Sequence, residues 1–92
     1  MGLLTDEKIT DELQQVAWSR QGDEISREVR LRDFAAAMAF VNQVAEAAEA
    51  ANHHPDILVH GWNRVRLTLT THSAGGLTER DFMLARVIDG LA

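Results

Sequence analysis

Four histidines occur in the 92 residues, and two of them, His53 and His54, stand side by side immediately before the only proline, Pro55. His72 closes the run "NRVRLTLTTH", and Asp81 follows in "LTERDF". Neutral imidazole accepts a proton and imidazolium donates one, and the ordinary pKa of about 6.5 keeps both forms within reach near neutral pH. Acid–base chemistry is what these residue types do best. A packed core needs no adjacent pair, because neighbours on a helix point about 100° apart and cannot both face one interior. A helix C-terminus can use one imidazole to complement its carbonyls and dipole, which leaves the second unexplained.

Other chemistries fit less well. A zinc site needs three or four converging ligands; the sequence has neither an HxxxH spacing nor a cysteine, and adjacent histidines do not readily chelate one ion, so no metal is expected. Ser73 adjoins His72, but no GxSxG turn or triad arrangement accompanies it. Asp81 has a competing local role: Thr78 with Asp81 three residues later matches a capping box. His60, beside Gly61, reads as a solvated turn residue with no chemistry, and Met38 and Met83 read as core rather than ligand contacts.

The elements that must position these groups follow from period and punctuation. Thr5, Asp6 and Glu7 start a helix that periodicity carries to about Val16. A short strand around Trp18, a turn at Gln21, Gly22 and Asp23, and a strand with Ile25, Val29 and Leu31 on one side make a hairpin, with Arg27 as the exception in the alternation. From Asp33 the period becomes helical, with Phe34, Met38, Val41, Val44 and Ala48 as the inward stripe. Pro55 ends that helix, so the histidine pair falls at its C-terminal end. Ile57 to Val59, a turn at Gly61, and a strand with Val65, Leu67 and Leu69 inward give a second hairpin. "SAGGL" reads as a flexible loop before a last helix, capped by Thr78, with Leu77 and Phe82 as a hydrophobic staple and Leu84, Ala85, Ile88 and Leu91 as its apolar stripe. The expected fold is α+β: a four-stranded antiparallel sheet with helices packed on one face, in the order helix, hairpin, helix, hairpin, helix. A single domain of residues 1–92 is expected, and compact closure of that fold can gather the element ends carrying His53, His54, His72 and Asp81 into one rim.

Composition narrows the class. With 46% hydrophobic and 25% charged residues the chain has the balance of an ordinary globular protein. The formal net charge of −5, with the basic residues spread out, argues against direct nucleic-acid binding. Arg64 with Arg66 and Arg27 with Arg30 read as solvated or cross-strand pairing charges. Charges interrupt every apolar stretch before the roughly 20 residues needed to span a bilayer, so no membrane span is expected. The absence of cysteine and of a basic-then-apolar leader makes a cytoplasmic location the expectation.

The spacing carries one more reading. Glu49, "HHP" at 53 to 55, Trp62, "TTH" ending at His72, "AGGL" and Asp81 together resemble the signature of the pterin-4a-carbinolamine dehydratases. "LTDE", "REVRLRDF" and "LTERDFMLA" resemble the same family, so the likeness spans nearly the whole chain. The resemblance implies a hydro-lyase that removes water from 4a-hydroxytetrahydropterin to give the quinonoid dihydropterin, in tetrahydropterin recycling coupled to aromatic amino-acid hydroxylases, with no metal or organic cofactor. It implies that His53, His54 and His72 surround the reacting carbon, that Asp81 orients an imidazole or holds a pterin nitrogen, and that Glu49 supports the pair. Trp62 would flank the ring or pack beneath it, and backbone groups of Thr70, Thr71, His72 and Ser73 would meet the pterin edge. Which histidine is the principal acid stays open. The resemblance also implies a homo-oligomer, dimer or tetramer, and it leaves a second reading: a non-catalytic interaction module, since some animal members serve as dimerisation partners of a homeodomain transcription factor.

Overall fold

The computed structural model describes residues 2–92; Met1, the first residue of the expected 1–92 domain, lies outside them. Helix α1 (Asp6–Leu13) starts as its sequence dictates, with the Thr5 hydroxyl accepting from the Lys8 amide at 3.1 Å. It stops at Leu13, short of Val16. The reason is tertiary: the chain must turn so that the Ala17 amide and the Trp18 indole can both donate to Asp89, at 2.9 and 2.8 Å. Trp18 is thereby buried just ahead of the first strand rather than within it.

Strands β1 (Ser19–Gln21), β2 (Glu24–Arg30), β3 (Asp56–His60) and β4 (Arg64–Leu69) form one antiparallel sheet in the order β1-β2-β4-β3. Register sets Ile25 opposite Leu69, Arg27 opposite Leu67 and Val29 opposite Val65. This row, with Val59 beside Val65, faces the core, which also receives Ile9 of α1, Ala37, Phe40, Val44 and Ala48 of α2 (Phe34–Ala51), and Phe82, Leu84, Ala85 and Ile88 of α3 (Glu79–Leu91). The opposite face, with Glu24, Glu28, Arg30, Arg64 and Arg66, is exposed and charged. The α+β order and the four-stranded sheet are those the periodicity gives. Arg27 breaks the alternation because it points inward, where its guanidinium meets Asp89 at 2.5 Å.

Two stripes shift. Phe34 and Met38 lie outside the buried face of α2, and Met83 is exposed on α3, so neither methionine is a core residue. A helix as rich in alanine as α2 has small apolar residues all round, and its period therefore does not single out one face. Val44 and Ala48 belong to both the expected and the observed stripe; Ala37 and Phe40 replace Phe34 and Met38 in its first half.

His60 also differs from its expected place. It is the last residue of β3, half-buried, and its Nε2 lies 2.6 Å from Glu28 on β2, across the intervening β4. That hydrogen bond is the main cause that holds the Glu28 carboxyl below its ordinary value of 4.5, with smaller help from the Arg66 guanidinium at 3.2 Å. A carboxylate whose value is depressed by folding stabilises the folded state above about 4.5 and loses that contribution as pH falls through the lower folded value. Melting temperatures of wild type and Glu28→Gln should therefore differ at neutral pH and converge under acid. A gap that stays constant down to strongly acid pH would remove Glu28 as the titrating group.

Candidate active site

The end of α2 explains how two adjacent histidines diverge. Asn52 takes a left-handed conformation (φ 49°), its amide donating to Glu49 O at 3.2 Å while the His53 amide donates to Ala48 O at 3.1 Å. This pair of bonds is a Schellman closure, which asparagine tolerates better than most non-glycine residues. It ends the helix before Pro55 acts. The reversal folds His53 back against the protein, where it is 8% exposed, and leaves His54 outside, its side chain 57% exposed.

The buried imidazole is held from α3. His53 Nε2 lies 2.6 Å from Asp81 Oδ1, and Asp81 is fully buried. The other carboxylate oxygen, Oδ2, accepts from the Thr78 amide at 2.9 Å and the Thr71 hydroxyl at 2.8 Å. Asp81 thus closes the capping box of α3 with one oxygen and holds an imidazole with the other. The two roles that compete in the sequence are served together. His53 Nδ1 has no partner among the described residues, and no buried side-chain nitrogen or oxygen there lacks one, so this ring nitrogen reaches solvent. His53 lines a groove of about 460 Å³ between α2 and α3, together with Ala47, Ala50, Met83, Leu84, Val87 and Arg80. A largely apolar cleft of this size with few polar groups suits a small flat ligand. Arg80 is fastened by its hydrogen bond to the Asn52 carbonyl, which ties α3 to the end of α2.

The other candidates take different places. His54 Nε2 lies 2.5 Å from Glu49 Oε2, an ion pair exposed on both sides. His72 is exposed and makes no hydrogen bond to His53 or His54; it opens a 3-10 turn, His72–Ala74, and follows directly on Thr71, the residue bonded to Asp81. That turn is closed: the Thr71 amide donates to Gly76 O at 3.0 Å, and a side chain at Gly76 would press on Leu3 at 3.1 Å, so "SAGGL" is a shaped loop rather than a loose one. Thr70 bonds the Asp23 carbonyl at 2.6 Å, and Ser73 is exposed. Trp62, in a left-handed conformation (φ 56°), sits at the tip of the β3–β4 turn and is 61% exposed. Register places Asp56 opposite Thr68 and His60 opposite Arg64, so that tip lies at the far end of the hairpin from His53. At about 3.3 Å per residue, Trp62 stands roughly 20 Å from it. The groove and Trp62 do not share a site within one chain. Among the described residues no group of three or more His, Cys, Asp or Glu is arranged to hold a metal ion, and no helix is long and apolar enough to cross a membrane.

Compared with known proteins, residues 2–91 match the family model for pterin 4 alpha carbinolamine dehydratase. The chain belongs to this family. A relative from Nocardia farcinica is 59% identical over 91 residues, covering 98% of this chain and 95% of its own, and one from Acidobacterium capsulatum is 58% identical over 92 residues, covering 99% of each. Both carry the name of candidate pterin-4-alpha-carbinolamine dehydratases. The crystal structure of a transcriptional coactivator/pterin dehydratase from Brucella melitensis superposes with a TM-score of 0.91 at 35% identity, covering 97% of both chains. A pterin dehydratase-like RuBisCO assembly factor of the alpha-carboxysome shares the fold, at TM-score 0.68 and 23% identity over 84% of this chain and 88% of its own.

For this member of the dehydratase family, the sequence points to Thr71 only through its backbone, and the hold of its hydroxyl on Asp81 is what sequence reading missed. Thr71 is the next inward position after Val65, Leu67 and Leu69, and a hydroxyl on the buried side of a strand must find a partner. That was the available signal. Asn52 gave another, since asparagine is a common left-handed helix terminator.

Proposed function

We propose that the protein is a hydro-lyase that dehydrates 4a-hydroxytetrahydropterin to the quinonoid dihydropterin. One observation carries the reading: His53 is buried, bonded to a buried carboxylate through Nε2, free of a protein partner at Nδ1 among the described residues, and lines an apolar groove. The names of the Nocardia and Acidobacterium relatives support it. In the reaction the C4a–O bond breaks and the oxygen leaves as water with one added proton; the N5–H bond gives up its proton, and its electron pair forms the N5=C4a bond. Protons balance, so one imidazole can serve twice. Neutral His53 accepts the N5 proton on Nδ1 while Nε2–H stays on Asp81, and the Nδ1–H so formed is then given to the departing hydroxyl. Apolar walls beside it seat the pterin ring. His54 with Glu49 on the outer side of the helix end, and His72 in the turn that follows Thr71, are further proton-transfer and binding groups.

The substrate comes from a hydroxylation that leaves oxygen on C4a, the chemistry of pterin-dependent aromatic amino-acid hydroxylases. We further propose a homo-oligomer, because β3 is an uncovered edge strand with Ile57 and Leu58 exposed, a surface that invites pairing with a second copy. The test takes purified protein through light scattering and then stopped-flow with freshly generated 4a-hydroxytetrahydropterin. An oligomeric mass and accelerated dehydration are expected. A monomeric mass at micromolar concentration would sink the oligomer, and no acceleration across a wide pH range would sink the hydro-lyase and favour an interaction module, as the coactivator name of the Brucella protein suggests.

A further inference from the structure

The hydroxyls of Thr71 and Thr78 form a chain whose direction is fixed by hydrogen count. Thr71 Oγ1 lies 2.8 Å from Asp81 Oδ2 and 2.8 Å from Thr78 Oγ1, and both threonines are buried. A hydroxyl has one hydrogen to give. Thr71 gives its hydrogen to Asp81, so the hydrogen between the two threonines must come from Thr78. Thr78 Oγ1 in turn accepts from the Arg80 amide at 3.3 Å, as the cap of α3. Every hydrogen in the chain therefore points toward Asp81: Arg80 N–H to Thr78, Thr78 O–H to Thr71, and Thr71 O–H to Oδ2. The Thr78 amide adds a second donor to that same oxygen at 2.9 Å.

Two donors on Oδ2 leave it no room for a proton of its own, and they stabilise negative charge on the carboxylate. The alternative takes up one further proton: a neutral carboxyl with its hydrogen on Oδ1 would donate to His53 Nε2, and the imidazole hydrogen would sit on Nδ1. Donors on Oδ2 favour the other arrangement, in which Asp81 is ionised and Nε2 carries the hydrogen. The choice matters because Nδ1 is the ring nitrogen without a protein partner among the described residues, on a histidine that lines the groove.

We propose that Thr71 and Thr78 are positioning residues: their one-way hydroxyl chain keeps Asp81 a pure acceptor and fixes His53 as the Nε2–H tautomer, which leaves the lone pair on Nδ1, the ring nitrogen available for proton transfer. The tautomer assignment stands on the hydrogen-bond geometry alone; its consequence for rate rests on the dehydratase reading. The chain also explains why a strand end and a helix cap, remote in sequence from the histidine pair, meet in one buried network.

The test uses nitrogen-15 NMR of the substrate-free full chain, which distinguishes a protonated from an unprotonated ring nitrogen, together with dehydration kinetics. Wild type should show neutral His53 with hydrogen on Nε2 and a bare Nδ1. Thr71→Val should give a mixture of tautomers and lower kcat about tenfold with little change in KM, the scale at which outer hydrogen-bond partners of functional histidines act. Thr71→Ser, which restores the hydroxyl, should restore both readouts. Hydrogen on Nδ1 in the wild type overturns the proposal whatever the variants do, as does a Thr71→Val protein with the wild-type tautomer. Wild type with a bare Nδ1, a tautomer mixture in Thr71→Val, and no dehydratase activity would support the hydroxyl chain while removing the assigned reaction.

Discussion

His53→Gln should lower kcat for dehydration by about a hundred- to ten-thousand-fold, the range attributed to a positioned acid–base group, while leaving the fold intact. Glutamine is the informative replacement. Its amide can still donate to Asp81, whereas His53→Ala leaves Oδ1 of a fully buried carboxylate without its donor, and an unsatisfied buried acceptor costs about 1–3 kcal/mol. A rate lost in the alanine variant could therefore reflect a damaged protein; a rate lost in the glutamine variant reflects a missing proton. KM should change little, because the amide keeps much of the ring's volume beside the groove. His54→Gln is the contrast. With 57% of its side chain exposed and its partner Glu49 more exposed still, water can take over its proton transfer, and the expected loss is less than about tenfold, a small part of what general acid–base groups supply. Stopped-flow at matched folded concentration separates the two. Equal losses, or the larger loss at His54, would move the principal acid to the solvated pair.

That contrast between neighbours was invisible in the sequence. "HHP" marks two imidazoles at a helix end, and the proline suggests that the helix stops because of it. The structure stops the helix earlier, at Asn52, and the left-handed residue there decides which histidine turns inward. Periodicity reads strands and helices well because burial repeats at a fixed step, so both hairpins, the three helices and the capping box of α3 were legible. It reads poorly wherever a polar side chain is buried by pairing with something distant in sequence. Thr71, Asp81 and His53 belong to three elements, and their convergence depends on how β4 and α3 pack against the end of α2. Trp62 is the converse: its spacing ties it to the histidines in the motif, yet the strand between them carries it to the other end of the hairpin. Arg27 shows the same principle in a form that could have been read, since a charge on the inward side of a strand calls for a partner.

The partner is Asp89, and its removal should be the most destabilising polar substitution in the described chain outside the His53 network. Asp89 Oδ1 accepts from the Trp18 indole at 2.8 Å and from Arg27 at 2.5 Å, and Oδ2 accepts from the Ala17 amide at 2.9 Å. Two donors from the segment between α1 and β1 and one from β2 converge on one carboxylate near the end of α3. Without it the guanidinium, at 22% side-chain exposure, faces the sheet's inner side unpaired, and the buried indole loses its acceptor. Hydrogen bonds to charged groups contribute about 1.5–3 kcal/mol each, and a fully buried pair broken on one side costs about 3–5 kcal/mol. Because both charges keep about a fifth of their surface in water, the expected cost of Asp89→Ala is about 2–4 kcal/mol, below the sum of the parts. For a domain of this length that lowers the melting temperature by roughly 10–25 °C. Urea denaturation at fixed protein concentration measures it, and a double-mutant cycle with Arg27→Met isolates the ion pair from the Trp18 and Ala17 bonds. In the Arg27→Met background Asp89→Ala should cost less by about 1 kcal/mol or more. A loss under about 1 kcal/mol for Asp89→Ala alone would mean that water replaces the carboxylate at this end of the helix, and that the chain between α1 and β2 is held by the burial of Trp18 rather than by the bonds it makes.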